Sequence, residues 1–352
     1  MIRLLVLLPA IAFAQAETEA DMELKTVMDR MGLWLENRYH PNENPAFAAQ
    51  VGYALVRIDT SPQDEFLRNL VSIVKKQAYT KTGEVGWAAL AARYMDREGR
   101  DRTRIALFAQ ALLDAQAKDG GFAEECAIPP PPAKPYPPKD PMKPSPIKIA
   151  TTKGRKAPEK GTLSATFAAL IGLRAAAQHG ITIPPETWKE AVKYVEATQN
   201  EDGGWDFGLG PVDEPSCGTA TAMGGASLTL ARFFAGVKVP KDDRMVRAID
   251  WLAKHWTTKE DPGYVGQDLP PDQRQGAIAA GRRMQFLFLC ETLGSLAKIA
   301  KFGEHDWYEE GKKEATAAQD SSGSIDKSVT ETTWACLFLR KGTHDVGAYL
   351  GR

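Results

Sequence analysis

The chain has 352 residues, with 44 Lys plus Arg against 45 Asp plus Glu and 43% hydrophobic residues. That balance excludes a global electrostatic attraction to nucleic acid, and the composition is that of an ordinary globular protein rather than a disordered or fibrous one. The length suits two average domains or one large closed architecture.

Residues 1–16, MIRLLVLLPAIAFAQA, combine Arg3, an apolar run from Leu4 to Phe13 and small residues at Ala12, Ala14 and Ala16. The run is too short to span a bilayer, so it reads as a signal peptide, and the expected location is secreted or periplasmic. Residues 17–352 are expected to form one domain. No later stretch is apolar enough for a membrane span.

From residue 22 onward, segments with one wet face alternate with segments crowded with Ala, Gly, Thr, Leu and Phe. The first of each pair predicts an outer helix and the second an inner one: 22–37 with 47–58, 63–78 with 86–95, 102–117 with 163–177, 184–199 with 217–234, 243–255 with 276–293, and 305–318 with 328–340. The fourth pair is the clearest. Trp188, Ala191, Val192 and Val195 make one stripe behind Pro184 and Pro185, and the segment from Cys217 carries no charge until Arg232. A helix apolar all round must be buried on every side, so six such hairpins predict an all-α α/α toroid with an inner and an outer ring of helices. Residues 127–161 interrupt the third pair. Their prolines forbid helix, and their many Lys residues face few acids, giving either an anionic-polymer tether or a plain solvated insertion.

A glycine motif punctuates the pairs: QAKDGGF (Gln116, Gly120, Gly121, Phe122), QNEDGGW (Gln199, Gly203, Gly204, Trp205) and a degraded QDSSGSI at 319–325. Glycine ends a helix by accepting positive φ, and the aromatic gives the hairpin a large apolar body, so the motif is structural. Cys126 and Cys217 each follow a motif, and an oxidising compartment would permit a bridge between them; Cys290 and Cys336 sit in apolar runs as buried thiols.

These motifs and their alanine-rich followers resemble the QW-type repeats of the terpenoid cyclase and protein prenyltransferase superfamily, of the squalene-hopene cyclase type. The resemblance covers nearly the whole chain and implies that the Gln and aromatic tie an outer helix to the loop entering the inner one. It also implies chemistry that the residues do not supply. A DxDD acid motif finds only SVTE at 328–331, with Glu331 as the sole acid, and a zinc site finds Asp213 and Cys217 at the wrong spacing with no histidine on the last inner helix. No metal or cofactor is implied.

Polar residues on inner segments remain as candidates: Arg282, Arg283, Thr330 and Trp334 for ligand binding together with the loop acid Asp206, and Glu331 and Asp213 for catalysis. His40, His179, His255, His305 and His344 fall mostly at helix ends or in loops, and no GxSxG, HExxH, phosphate-binding or dinucleotide-binding motif occurs. The expected function is a toroid that binds an apolar small molecule, a polysaccharide or a protein partner without cyclase activity. A polysaccharide lyase or hydrolase on an α/α toroid, and a degenerate terpenoid cyclase using Glu331, are the alternatives.

Overall fold

A computed structural model describes residues 19–95, 101–132, 134–136, 146–209, 214–237, 243–266, 269, 273–274 and 279–341. The expected leader and Asp213 lie outside these residues. Twelve α-helices are present among them, in alternating roles. The outer helices are α1 (Glu19–Arg38), α3 (Glu65–Lys76), α5 (Arg102–Ala115), α7 (Pro185–Ala197), α9 (Asp243–Lys254) and α11 (Trp307–Ala318). The inner ones are α2 (Ala48–Arg57), α4 (Thr82–Met95), α6 (Leu163–Gln178), α8 (Gly218–Ala235), α10 (Arg283–Ala297) and α12 (Val329–Leu339). Each inner helix packs on the next, and α12 packs on α2, so the inner six form a shut ring. No described helix is long and apolar enough to cross a membrane.

The burial of the inner ring follows from its small residues. Every residue of α8 from Gly218 to Leu228 is buried, and Gly224 leaves room for the Trp205 indole: a Cβ there would stand 2.5 Å from the ring. The fifth inner helix begins later than expected, at Arg283 after a 3-10 turn over Ala279–Arg282, so the Arg282/Arg283 pair sits at a helix entrance rather than within a helix.

The glycine motifs are stitches between neighbouring hairpins. In each, the glutamine Nε2 donates both to its own loop and to the following outer helix: Gln116 to Gly120 O (3.1 Å) and Thr187 O (2.9 Å), and Gln199 to Gly203 O and Arg244 O (both 2.8 Å). Gln319 does the same to Gly323 O (3.3 Å) and Val27 O (2.8 Å), which joins the last hairpin to α1. The glycines at 120, 203 and 323 have φ of 93°, 94° and 98°, and each lies against the backbone of that next outer helix, where a side chain would strike Glu190, Arg247 or Arg30 carbonyl. Phe122, Trp205 and Ile325 are fully buried, and their N–H groups donate to Thr166, Thr221 and Thr332 on the inner helices. The glutamine therefore reaches one hairpin further than the resemblance implies. Replacing Gln319 by Ala removes two hydrogen bonds at the seam of the ring. The expected cost is about 2 kcal/mol, seen as faster amide exchange in α1 than in α7.

One expectation is corrected. All four cysteines are free thiols, so Cys126 and Cys217 are not bridged. Their loops serve different inner helices: Cys126 N–H bonds Thr80 O at the entrance to α4, and Cys217 N–H bonds Trp205 O at the entrance to α8, with α6 between them in the ring. The 127–161 insertion, in its described part, is tied to the ring by its backbone while Lys148, Lys153, Lys156 and Lys160 stay exposed to solvent. Strand β1 (Ile147–Lys148) pairs in parallel with β2 (Ile181–Thr182), Ile147 is buried, and the chain then runs along the end of α5, where Thr152 N–H donates to Asp114 (2.8 Å) and Arg155 to Gln116 O (2.7 Å). It is a strap, held by hydrogen bonds that an exposed tether would make to water.

Candidate functional site

Inner helices enter the ring from one end, and their first turns surround a central cavity of about 320 Å³. Its construction follows one frame. The third residue of α4 is Glu84 and Trp87 comes three later; α10 has Gln285 and Phe288, α2 has Gln50 and Tyr53, and α12 has Glu331 and Trp334. In α6 the pair, Ser164 and Phe167, starts one residue earlier, and in α8 it is the apolar Ala220 and Met223. Residues three apart lie on one helix face, so the frame stacks a polar layer over an aromatic one. Gln50, Glu84, Ser164 and Gln285 reach the cavity from the upper layer, and Trp87, Phe167, Met223, Phe288 and Trp334 from the lower.

The floor is packed ring on ring. Phe288 stacks on Trp334 at 5.1 Å, Trp87 lies 5.3 Å from Trp334 and 6.1 Å from Phe288, and all three are buried. At the mouth, Lys81, Glu124, Phe207 and Arg282 complete the lining. Most of these are already engaged. Lys81 pairs with Glu125 (3.1 Å), Glu124 accepts the Thr162 hydroxyl, and the Arg282 guanidinium lies over the Tyr264 ring (4.4 Å) and donates to its hydroxyl (3.1 Å).

Of the described residues expected to form a site, Arg282 and Trp334 line the cavity, and Arg283, Asp206, Thr330 and Glu331 do not. Arg283 turns away to Asp326 (2.8 Å) and Glu314 (3.7 Å). Asp206 closes its own loop by accepting from Gly208 N–H (2.6 Å) and Asn200 (3.3 Å), and Thr330 is exposed in the first turn of α12. Glu331 is only 3% exposed and accepts the Met284 N–H at 2.9 Å. It thus caps α10, whose own N-cap residue Arg282 makes no side-chain cap bond. Burial drives the Glu331 carboxyl up to about 7, and the Met284 N–H and Arg283 oppose that rise only in part. What sequence reasoning missed is the rest of the frame: Gln50, Glu84, Ser164 and Gln285 above, and Trp87, Phe167 and Phe288 below. EVGW in α4 and ETTW in α12 are the same signal, visible once the helix starts are aligned.

A larger apolar groove of about 590 Å³ lies at the opposite ends of α8 and α10, beside Phe233, Met245, Leu296 and Ile299. Its Arg232 is bound to Glu196 and its Thr229 to Gly225 O, so it lacks the convergent free polar groups that mark the central cavity as the functional candidate.

No family model matches the sequence, and no curated protein does. Among solved structures, the chain is similar to the type II terpene cyclase MstE from Scytonema, determined in complex with geranylgeranyl dihydroxybenzoate, its substrate. The TM-score is 0.50 at 12% identity, over 93% of this chain and 98% of the cyclase. The chain has a terpenoid cyclase-like fold. This likeness extends over the full toroid, and at so low an identity it speaks for architecture alone.

Proposed function

We propose that the chain is a binding toroid whose central cavity takes a small molecule with an apolar body and a polar end, and that it performs no cyclisation. The observation that carries this reading is the layered cavity, polar at the mouth and aromatic at the floor, contributed by inner helices around the ring. At about 320 Å³ it stands at the lower bound of small-molecule pockets, which favours one small ligand over a polysaccharide chain. Against cyclisation stand two features: positions 328 and 330 are Ser and Thr, and the one acid of that frame, Glu331, is committed to the Met284 N–H. Protonating an alkene demands a strong acid aimed at the substrate, and a carboxyl pushed up to about 7 beneath the cavity wall is the opposite.

Neutral N-phenylnaphthylamine, whose emission rises in apolar surroundings, tests the reading. Ser164→Trp places an indole in the mouth from the half-buried first turn of α6. Dye affinity is expected to fall at least tenfold in that variant, with an unchanged melting temperature. Equal binding by the two proteins would locate the dye elsewhere and remove the cavity as the site.

A further inference from the structure

We infer that the ligand of the central cavity is a cation: an ammonium or protonated amine on a small apolar body. The inference rests on the binding reading above and specifies its chemistry. It starts from what each polar group at the mouth has left to offer. Both cations there are committed, Lys81 to Glu125 and Arg282 to the Tyr264 hydroxyl and ring, with the fully buried Asp261 a further 3.9 Å from its Nε. Glu124 retains one carboxylate oxygen after accepting from Thr162. Glu84 forms no ion pair and accepts no hydrogen bond from any described residue, although it is half-buried in the lining. The Gln50 Oε1 is buried with no hydrogen-bond partner, on the adjacent inner helix α2. Gln285 is likewise unengaged by any described residue. The unused capacity is therefore weighted toward acceptors and negative charge: three glutamates, Glu84, Glu124 and Glu125, act on the one Lys81, and the spare donors are the Gln50 and Gln285 amides, the Ser164 hydroxyl and the remaining N–H groups of Lys81.

An unsatisfied buried acceptor and an unpaired carboxylate in a confined space are both costly, and each is relieved by a donor that carries positive charge. An anionic ligand would face Glu84, Glu124 and Glu125 together, with Lys81 shared among them and Arg282 held on Tyr264. A neutral apolar ligand would desolvate Glu84 and Gln50 without compensating them. Below this layer, Trp87, Phe288 and Trp334 line the floor, and aromatic rings are apolar groups that also attract cations. The two layers thus select the same species independently: a charge that acceptors hold from above and aromatic rings hold from below. The ligand's apolar part fills the space beside Phe167 and Met223.

Three probes of similar shape separate charge from size: benzylammonium, its neutral isostere ethylbenzene, and the anion benzenesulfonate, each measured by equilibrium dialysis at low salt. The cation is expected to bind at least tenfold more tightly than the isostere, with benzenesulfonate weakest. In Glu84→Gln the ratio of cation to isostere affinity is expected to fall at least threefold, and in Gln50→Leu to fall by a smaller factor. Isostere binding equal to or tighter than the cation, preference for the sulfonate, or a ratio that Glu84→Gln leaves untouched would each overturn the cationic assignment while leaving the cavity as a binding site. If none of the three probes binds, and N-phenylnaphthylamine binding is also insensitive to Ser164→Trp, the cavity reading itself falls.

Discussion

Glu331→Gln is expected to be more stable than the parent protein above neutral pH, by about 3 kcal/mol, and equal to it near pH 4. The Glu331 carboxyl titrates at about 7 in the folded chain against an ordinary value of 4.5. Between these two values the folded state holds a proton that the unfolded state has released, so stability declines as pH rises through that window and the full loss is present above it. The gap between those two values, at about 1.4 kcal/mol for each pH unit, gives the stated size. The glutamine amide would be neutral throughout and would keep a carbonyl for the Met284 N–H, so the difference between the two proteins isolates this one group. Glu331→Ala has the other sign. It strands the Met284 N–H inside the ring and leaves a void, for a cost of about 2–4 kcal/mol at pH 5. Urea unfolding at pH 4, 6 and 8 reads all three proteins. A parent and Glu331→Gln variant that track each other across the range would show that Glu331 is not buried as described.

The second large effect belongs to Gly86. Helices α4 and α6 approach most closely there, because a Cβ on Gly86 would stand 2.1 Å from the Ala168 carbonyl oxygen and one on Gly172 would stand 2.9 Å from Gly86 Cα. The obstacle is backbone, which cannot rotate aside as a side chain does. Gly86→Ala must separate the two helices, and overpacking of this kind costs about 3 kcal/mol. For a chain this long that corresponds to a melting temperature lower by roughly 4 °C. Gly83→Ala is the internal control: it lies one turn earlier on α4, nothing stands within 4 Å of its added carbon, and its melting temperature is expected to be unchanged or slightly raised. Equal melting of Gly86→Ala and the parent would contradict the contact between α4 and α6.

The architecture was legible in the sequence because burial writes itself into composition. A helix such as α8 can lack charge over three turns only if nothing around it is water, and α7 can show its stripe from Trp188 to Val195 only if one face is wet. The stitches were legible too, since a glycine pressed against a neighbour's backbone admits no substitute. Their reach was not: nothing in QNEDGGW tells that Gln199 crosses to Arg244 O rather than remaining within its own hairpin. The site was largely hidden. Its frame uses Gln, Glu or Ser above and Tyr, Trp or Phe below, with Ala and Met in α8, so only α4 and α12 share both letters, and the pattern emerges only when six segments far apart in sequence stand side by side. Glu331 drew notice through the resemblance to an acid motif, whereas its counterpart Glu84, with an unused carboxylate, drew none.

Since Gln319 binds α1 as Gln116 binds α7 and Gln199 binds α9, the seam between the last and first hairpins is built like the joints inside the chain. The order in which the hairpins are read is then a matter of where translation starts, not of geometry. Splicing Leu339 through a short linker to Glu19, and opening the chain between any other inner helix and its successor, keeps every interhelical neighbour. Such a rearranged gene would encode the same wall around the same cavity.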